Sequence, residues 1–424
     1  MKVTLTPSKA QGKIKAIASK SAAHRILICS AFADAPTSIL CEETNRDIEA
    51  TVACLRSLGA KITRNDNVYE VTPLDKTAPV KNSVLPCDES GSTLRFLLPV
   101  ACAIGSDSIF ATKGRLSERP LDALLEELQV HGANVTKVND KFSLSGKLTG
   151  NDFCICGNIS SQFISGLLFA IAIIGEGSLR VTGKLESAPY VDMTLNALKV
   201  FGVSVIQRDD TYFLNANGGL RSPEYVAVEG DWSNAAFPLA LGILGKNVEI
   251  FGLDPISAQG DRAIVEIIRK MGGKISYNPA ANSYVANASK LHALELDATN
   301  VPDLVPVIAT LASVADGESK IYGVERLRLK ESDRIESIIT LLSSLGANIR
   351  FSDGALLISG IPNLLGGEVD SFDDHRIAMS AAVASCVCTS ELSILRAEAV
   401  QKSYPSFWNA VMNLSLNAKY ESEK

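Results

Sequence analysis

Apolar residues in this chain fall into two kinds of run that alternate along its length. The first kind is amphipathic and stops at a glycine. Five such runs read LRSLGAKI, LQVHGANV, LKVFGVSV, IRKMGGKI and LSSLGANI, with Gly59, Gly132, Gly202, Gly272 and Gly346 spaced 73, 70, 70 and 74 residues apart. A glycine closing a helical period predicts a left-handed C-terminal stop. Beyond each glycine, apolar and polar positions alternate on both sides of a polar turn, which predicts a hairpin. The turns fall at Asn65-Asp66-Asn67, Asn139-Asp140, Asp209-Asp210, around Pro279, and at Asp353-Gly354.

The second kind of run is apolar nearly all round: SKSAAHRILICSAFA, ESGSTLRFLLPVACA, SSQFISGLLFAIAI, DWSNAAFPLALGIL, PDLVPVIATLASVA and DDHRIAMSAAVASC. Helices without a polar face are normally buried. Each begins with Ser, Asp or Asn residues suited to N-capping. Runs such as FISGLLFAIAII are too short to span a bilayer, and MKVTLTPSKAQGK has no apolar core of a signal peptide.

A fixed period of this length means that one supersecondary unit has been copied. Six buried helices accompany only five hairpins. The sixth unit ends in an amphipathic segment, YPSFWNAVMNLSLNA, so the missing hairpin is expected at the other end, from VTLTP and KIKAI joined by SKAQG. The predicted fold is α/β, with two pseudo-threefold domains of three βαβαββ-type units each, an inside-out α/β barrel with a cleft between the domains. One domain is discontinuous, residues 1–18 plus 228–424. The other is inserted, residues 19–227, with the hinge near 17–20 and 226–230.

Composition narrows the function classes. The chain has 424 residues, 46% hydrophobic and 21% charged, with a net charge of -6. That is globular and long enough for two cores, and it argues against nucleic acid as a partner. Nine cysteines, an odd number without a framework, fit a reducing cytoplasmic compartment. The pairs Cys154/Cys156 and Cys386/Cys388 lack partners at ligand spacing, so no metal is expected.

Equivalent copies about a threefold axis would bring three helix N-termini to one end of each domain, where free N–H groups and the macrodipole favour an anion. Lys20, Ser21, His24 and Arg25 open the first buried helix. Glu89, Ser90, Gly91, Ser92 and Arg95 open the second. Ser160, Ser161 and Gln162 open the third, and Asp303 precedes the fifth. Asp373, Asp374, His375 and Arg376 open the sixth. Loops add Arg119, Ser187, Tyr190, Lys330, Glu331, Arg334 and Lys402. Ser160 and Asp303 can each be read as an ordinary cap. Cations in a first helical turn oppose the macrodipole, and an anionic ligand is a sufficient reason for Lys20, Arg25, Arg95 and Arg376 to stand there.

The ordered blocks SKSAAHR, ESGSTLRF, SERP, SSQF, PYVDMT, EGDWSNAAF, QGDR, VPD, RLKESDR, DDHRIAM and QKSYPSF cover essentially the whole chain. Together they resemble the EPSP synthase (3-phosphoshikimate 1-carboxyvinyltransferase) family of enolpyruvyl transferases. The resemblance implies the two-domain fold, shikimate 3-phosphate and phosphoenolpyruvate as substrates, no cofactor and a monomer. Residue by residue, it implies that Lys20, Ser21 and Arg25 contact the phosphorylated substrate, Lys20 also reaching phosphoenolpyruvate. Ser160, Ser161 and Ser187 would hold the shikimate phosphate and Gln162 the ring face and phosphoenolpyruvate. Gly91, Arg119, Arg334, Arg376 and Lys402 would grip phosphoenolpyruvate. Asp303 would orient the 5-hydroxyl and act as base, Glu331 would protonate the methylene carbon, and Lys330 would touch substrate or phosphate.

Two departures stand out. Many members have Asn-Ala-Gly-Thr or Asn-Ser-Gly-Thr where this chain has Glu89-Ser90-Gly91-Ser92, so Glu89 is not carried over as a ligand. Arg326 stands where some members have Asn near the shikimate phosphate. The relative acting on UDP-N-acetylglucosamine often carries a cysteine in the loop matching ATKGRLSERP, where this chain has none. The retained Asp303 and Glu331 argue against a non-catalytic phospho-metabolite binder.

Overall fold

The computed structural model describes residues 1–216 and 218–421. Each of the five glycine stops ends its helix with positive φ, from 78° at Gly202 to 111° at Gly59. Five antiparallel hairpins follow at the expected turns: Lys61–Asn65 with Val68–Thr72, Ala133–Val138 with Lys141–Gly146, Ser204–Arg208 with Thr211–Asn215, Lys274–Asn278 with Ser283–Asn287, and Asn348–Ser352 with Ala355–Ser359.

Each hairpin belongs to a four-stranded sheet with one recurring order. In the plainest copy, Ser83–Asp88 lies parallel to Ser108–Thr112, which runs antiparallel to Lys141–Gly146, with Ala133–Val138 at the edge. The described residues form six such sheets. The right-handed βαβ crossover demands a helix between the two parallel strands. In this copy it is the buried helix Gly91–Ile104.

The expected N-terminal hairpin does not form. Lys2–Thr6 pairs antiparallel with Leu392–Leu395 on one side and Asn417–Glu421 on the other. A strand has two edges, and both are taken. Gln11–Lys15 instead lies parallel to Asn247–Phe251 in a different sheet. The sixth antiparallel pair therefore joins the two ends of the chain. The helix is shorter than the run YPSFWNAVMNLSLNA suggests, Phe407–Asn413, and the strand Asn417–Glu421 takes up the last two residues of that run and continues beyond it.

The chain divides into two compact units, Met1–Ile17 with Glu229–Lys424, and Ala18–Val228. Each has its own apolar core and three of the sheets. Each unit opens one sheet with a strand from beside a chain crossing: Gln11–Lys15 pairs with Asn247–Phe251 in the discontinuous unit, and Tyr225–Ala227 pairs with Thr37–Leu40 in the inserted one.

The six apolar helices are the core of their units, as the lack of a polar face requires. In the discontinuous unit Trp232–Leu244, Val305–Ala312 and His375–Ala384 pack on one another. In the inserted unit Gly91–Ile104 and Ser161–Ile174 approach closely at Gly166, where a Cβ would stand 2.3 Å from the Arg95 carbonyl oxygen. That approach sets Gln162 beside Arg95. Among the described residues no helix is long and apolar enough to cross a membrane.

Candidate active site

In the discontinuous unit, four segments bring acids and bases together. Asp333 caps the helix Arg334–Ser344 through the Glu336 amide at 3.3 Å, which makes Arg334 its first residue. Asp374 caps His375–Ala384 through the Arg376 amide at 3.0 Å. The fifth apolar helix has no side-chain cap. Asp303 lies one turn before it, in the 3-10 turn Pro302–Leu304, so its carboxylate serves the neighbouring cations.

Arg334 is the centre of this arrangement. Its side chain is 1% exposed and donates to three carboxylates at 2.7 Å: Nε to Asp374 Oδ2, Nη1 to Asp303 Oδ1 and Nη2 to Glu331 Oε2. Arg376 donates to Asp303 Oδ2 at 3.1 Å and to the Asp303 carbonyl at 3.1 Å. Lys330 Nζ reaches Asp303 Oδ1 at 3.4 Å. The planar five-donor fork of arginine suits such sharing, which a lysine could not reproduce. Burial alone would raise the Asp303 pKa, but Arg376, Lys330 and Arg334 outweigh it and hold the carboxyl well below the usual range. Lys402, at the end of the turn Ala397–Lys402, is buried in the same unit.

Asp261 is a second buried acid of this neighbourhood. It accepts a hydrogen bond from the Ser233 hydroxyl on the first turn of Trp232–Leu244. Burial, together with the charge of Asp303, raises its pKa to about 6, against the pull of Arg376 and Ser233. A carboxyl raised in the folded state contributes stability below its unfolded pKa, near 3.9, and that contribution is lost as pH rises through about 6. At pH 8 its ionisation therefore costs on the order of 2–3 kcal/mol. Asp261→Asn is expected to raise the melting temperature at pH 8 and to lose most of that advantage at pH 4.5. Thermal melts at the two pH values check this; an equal shift at both would refute it.

In the inserted unit, Ser19 caps Lys20–Ala31 through the Ala22 amide. Lys20 Nζ donates to Asp47 Oδ2 at 2.8 Å, both largely buried. Arg25 is committed to the protein: Nε donates to Thr194 Oγ1 at 2.9 Å, Nη1 to the Ser21 carbonyl at 2.6 Å and Nη2 to the Tyr190 carbonyl at 2.7 Å. Burial pushes its pKa down to about 10. Arg95 Nη1 donates to Gln162 Oε1 at 2.9 Å, and Gln162 Nε2 donates to Ser92 Oγ at 2.9 Å. Above Gly91 stand two guanidiniums, since a Cβ there would lie 2.9 Å from Arg119 Nη1 and 3.0 Å from Arg95 Nη1. Ser160 caps Ser161–Ile174 through the Gln162 amide, and Ser187 opens Ala188–Val200 with φ 56°, a left-handed conformation rare for serine.

The structure thus gathers Asp303, Lys330, Glu331, Arg334 and Arg376 into one network. In the other unit it gathers Gly91, Arg95, Arg119 and Gln162. It also supplies a reason for cations at helix starts that does not require a ligand. Lys20 meets Asp47, Arg25 meets carbonyls, Arg95 meets Gln162, and Arg376 meets Asp303. Sequence reasoning missed Asp47 and Asp261 and left Asp374 without a role. Asp47 reads as a favourable acid in a first helical turn, and Asp374 reads as a cap. Both descriptions are true, and neither reveals the second partner. Arg326 donates to the Thr299 carbonyl at 3.3 Å. Glu89 lies against Gly114, whose Cβ would stand 2.9 Å from Oε1. Among the described residues no cluster of His, Cys, Asp and Glu is suited to a metal.

The fold has solved counterparts. An EPSP synthase of Acinetobacter baumannii superposes with a TM-score of 0.81 at 24% identity, covering 99% of this chain and 100% of its own. The enolpyruvyl transferase NikO of Streptomyces tendae gives 0.76 at 16% identity, covering 99% and 98%. These likenesses place the fold with the enolpyruvyl transferases. At the level of sequence, the model of the family EPSP synthase (3-phosphoshikimate 1-carboxyvinyltransferase) matches residues 5–411. The 3-phosphoshikimate 1-carboxyvinyltransferase of Clostridium kluyveri is 39% identical over 415 residues, 97% of each chain. That of Clostridium novyi is 38% identical over 419 residues, 96% of this chain and 95% of its own. The chain belongs to the EPSP synthase family.

Proposed function

We propose that the chain transfers the enolpyruvyl group of phosphoenolpyruvate to the 5-hydroxyl of shikimate 3-phosphate, releasing phosphate, in aromatic amino acid biosynthesis. The observation that carries this reading is the family match, which spans residues 5–411. The acid–base network around Arg334 supports it chemically. In the first step the 5-oxygen bonds to C2 of phosphoenolpyruvate while C3 gains a proton, giving a tetrahedral intermediate. In the second, the C2–O bond to phosphate breaks and C3 returns a proton. The path needs an acid at C3, a base at the hydroxyl and positive charge at the departing phosphate.

In this reading Asp303 takes the hydroxyl proton and Glu331 serves C3. Lys20, Gly91, Arg119, Gln162, Arg334, Arg376 and Lys402 engage phosphoenolpyruvate. Lys20, Ser21, Arg25, Ser160, Ser161, Gln162, Ser187, Asp303 and Lys330 engage shikimate 3-phosphate. Arg25 acts in the reading chiefly by fixing Ser21, whose carbonyl it holds. The cations around Asp303 stabilise its charge and make it a weak base. The same cations are those proposed to take phosphoenolpyruvate. Bound substrate anion offsets their charge and restores basicity to Asp303 when it is needed.

The test is phosphate release from the two substrates together, with each alone as control. No release from the pair overturns the reading; release dependent on UDP-N-acetylglucosamine in place of shikimate 3-phosphate transfers it to the related enzyme. Gly91→Ala is expected to raise the KM for phosphoenolpyruvate roughly tenfold, the cost of one weakened charge-assisted hydrogen bond, because its Cβ displaces the Arg119 and Arg95 guanidiniums. These are the ends of flexible side chains, so the melting temperature should barely move. An unchanged KM would remove Gly91 from the binding residues. We further propose a cytoplasmic monomer. Free cysteines, seven of nine buried, suit a reducing compartment, and light scattering should give 45.1 kDa.

A further inference from the structure

A chain of buried hydroxyls runs through the inserted unit from the first apolar helix to the start of the second. His24 Nδ1 lies 2.7 Å from Thr51 Oγ1, and Thr51 Oγ1 lies 2.7 Å from Thr93 Oγ1. Thr93 donates its hydroxyl proton to Ser90 Oγ at 2.7 Å. Ser90 is the N-cap of Gly91–Ile104, its oxygen also accepting from the Thr93 amide at 3.3 Å. His24, Thr51, Ser90 and Thr93 are all at most 1% exposed.

A hydroxyl has one proton, so the last bond fixes all the others. Thr93 spends its proton on Ser90 and must accept from Thr51. Thr51 spends its proton on Thr93 and must accept from His24. His24 is therefore protonated on Nδ1 and bare on Nε2. The bare nitrogen finds no partner, and the ring stands edge-on to Phe96 at 6.4 Å. A lone pair left there costs less than an orphaned N–H, which the opposite tautomer would bury. Burial lowers the imidazole pKa to about 3; Asp47 opposes the shift, and Lys20 and Arg25 add to it, so the ring is neutral at working pH.

Ser90 Oγ accepts two bonds from Thr93, and both come from the first turn of its own helix. Its own proton is thereby turned away from that turn. The next residue is Gly91, over which the Arg95 and Arg119 guanidiniums stand. We infer that His24 is a positioning residue, the first donor of a one-way hydrogen-bond relay through Thr51 and Thr93 that orients Ser90 and fixes Gly91 for an anionic substrate. Naming that substrate phosphoenolpyruvate rests on the function proposed above.

Two measurements on the full chain test the relay. Nitrogen-15 NMR of histidine-labelled protein, with His24 assigned by its loss in His24→Asn, should show Nδ1 protonated, Nε2 bare, and no titration between about pH 5 and 9. An Nε2-protonated or titrating ring would overturn the inference, and this readout needs no substrate. In steady-state assays His24→Leu, which cannot donate, should raise the KM for phosphoenolpyruvate about fivefold, the worth of one hydrogen bond, with the KM for shikimate 3-phosphate within about twofold. His24→Asn, whose amide nitrogen can occupy the place of Nδ1, should recover most of the difference. Equal change in both KM values, or a lowered melting temperature without a KM split, would reduce His24 to packing. Wild-type protein without turnover would overturn the proposed reaction, and the NMR result would still decide the relay.

Discussion

Replacing Arg334 by leucine is expected to abolish turnover and to lower the melting temperature by on the order of 10 °C. One guanidinium serves Asp303, Glu331 and Asp374, each at 2.7 Å. Asp374 is wholly buried and the Asp303 side chain is 17% exposed. Removing the cation leaves Asp374 buried without its arginine and takes from Asp303 one of its three cations, Arg376 and Lys330 remaining; breaking such a buried pair costs about 3–5 kcal/mol. For a unit of this size, that corresponds to a shift on the order of 10 °C. Arg334→Lys should recover little, because an ammonium cannot meet three carboxylates in three directions. Circular-dichroism melts and phosphate release measure the two effects. A shift under about 2 °C would mean that water, not Arg334, carries the charge balance.

Asp303→Asn is expected to lower kcat by about a hundredfold or more with the fold retained, the loss associated with a general base. The amide keeps the shape of the carboxylate, but its single oxygen can accept from only one of Arg334 and Arg376, which bond opposite oxygens of Asp303. It cannot take the 5-hydroxyl proton. Its effect on stability carries a definite sign. The Asp303 pKa is depressed in the folded state, so its contribution is present above the unfolded value, near 3.9, and is lost as pH falls through the folded value. Wild type should therefore exceed Asp303→Asn in stability at pH 7, and the two should converge in strong acid. Near-normal kcat would remove the base role. Convergence at alkaline rather than acid pH would contradict the electrostatic account.

Much of the local architecture was legible because it depends on short-range periodicity. The glycine stops and polar turns placed five hairpins, and the lack of polar faces marked six core helices. The N-terminal segment was misread for a physical reason. Alternation shows that Lys2–Thr6 and Gln11–Lys15 are strands, but it does not say which strands lie beside them. Nearness in sequence suggested each other. The structure gives one to the C-terminal strands and the other to Asn247–Phe251.

The candidate residues show the same division. Ser160 and Asp303 look alike in sequence, each a small polar residue before an apolar helix. Ser160 caps its helix, while the 3-10 turn carries Asp303 away from the cap position and toward Arg334 and Arg376. Lys20 and Arg95 stood out as cations at positively polarised helix ends. Their protein acceptors, Asp47 and Gln162, lie 27 and 67 residues away in sequence. Spacing of that kind leaves no periodic trace.

By itself, then, the sequence determined the repeated unit, the buried helices and the residue types at their starts, because backbone propensity and helical or strand period act over a few residues. Only the tertiary structure decided which strand completes which sheet and which carboxylate answers which cation. Those choices depend on edges and charges meeting across long stretches of chain, where burial makes an unmatched group costly.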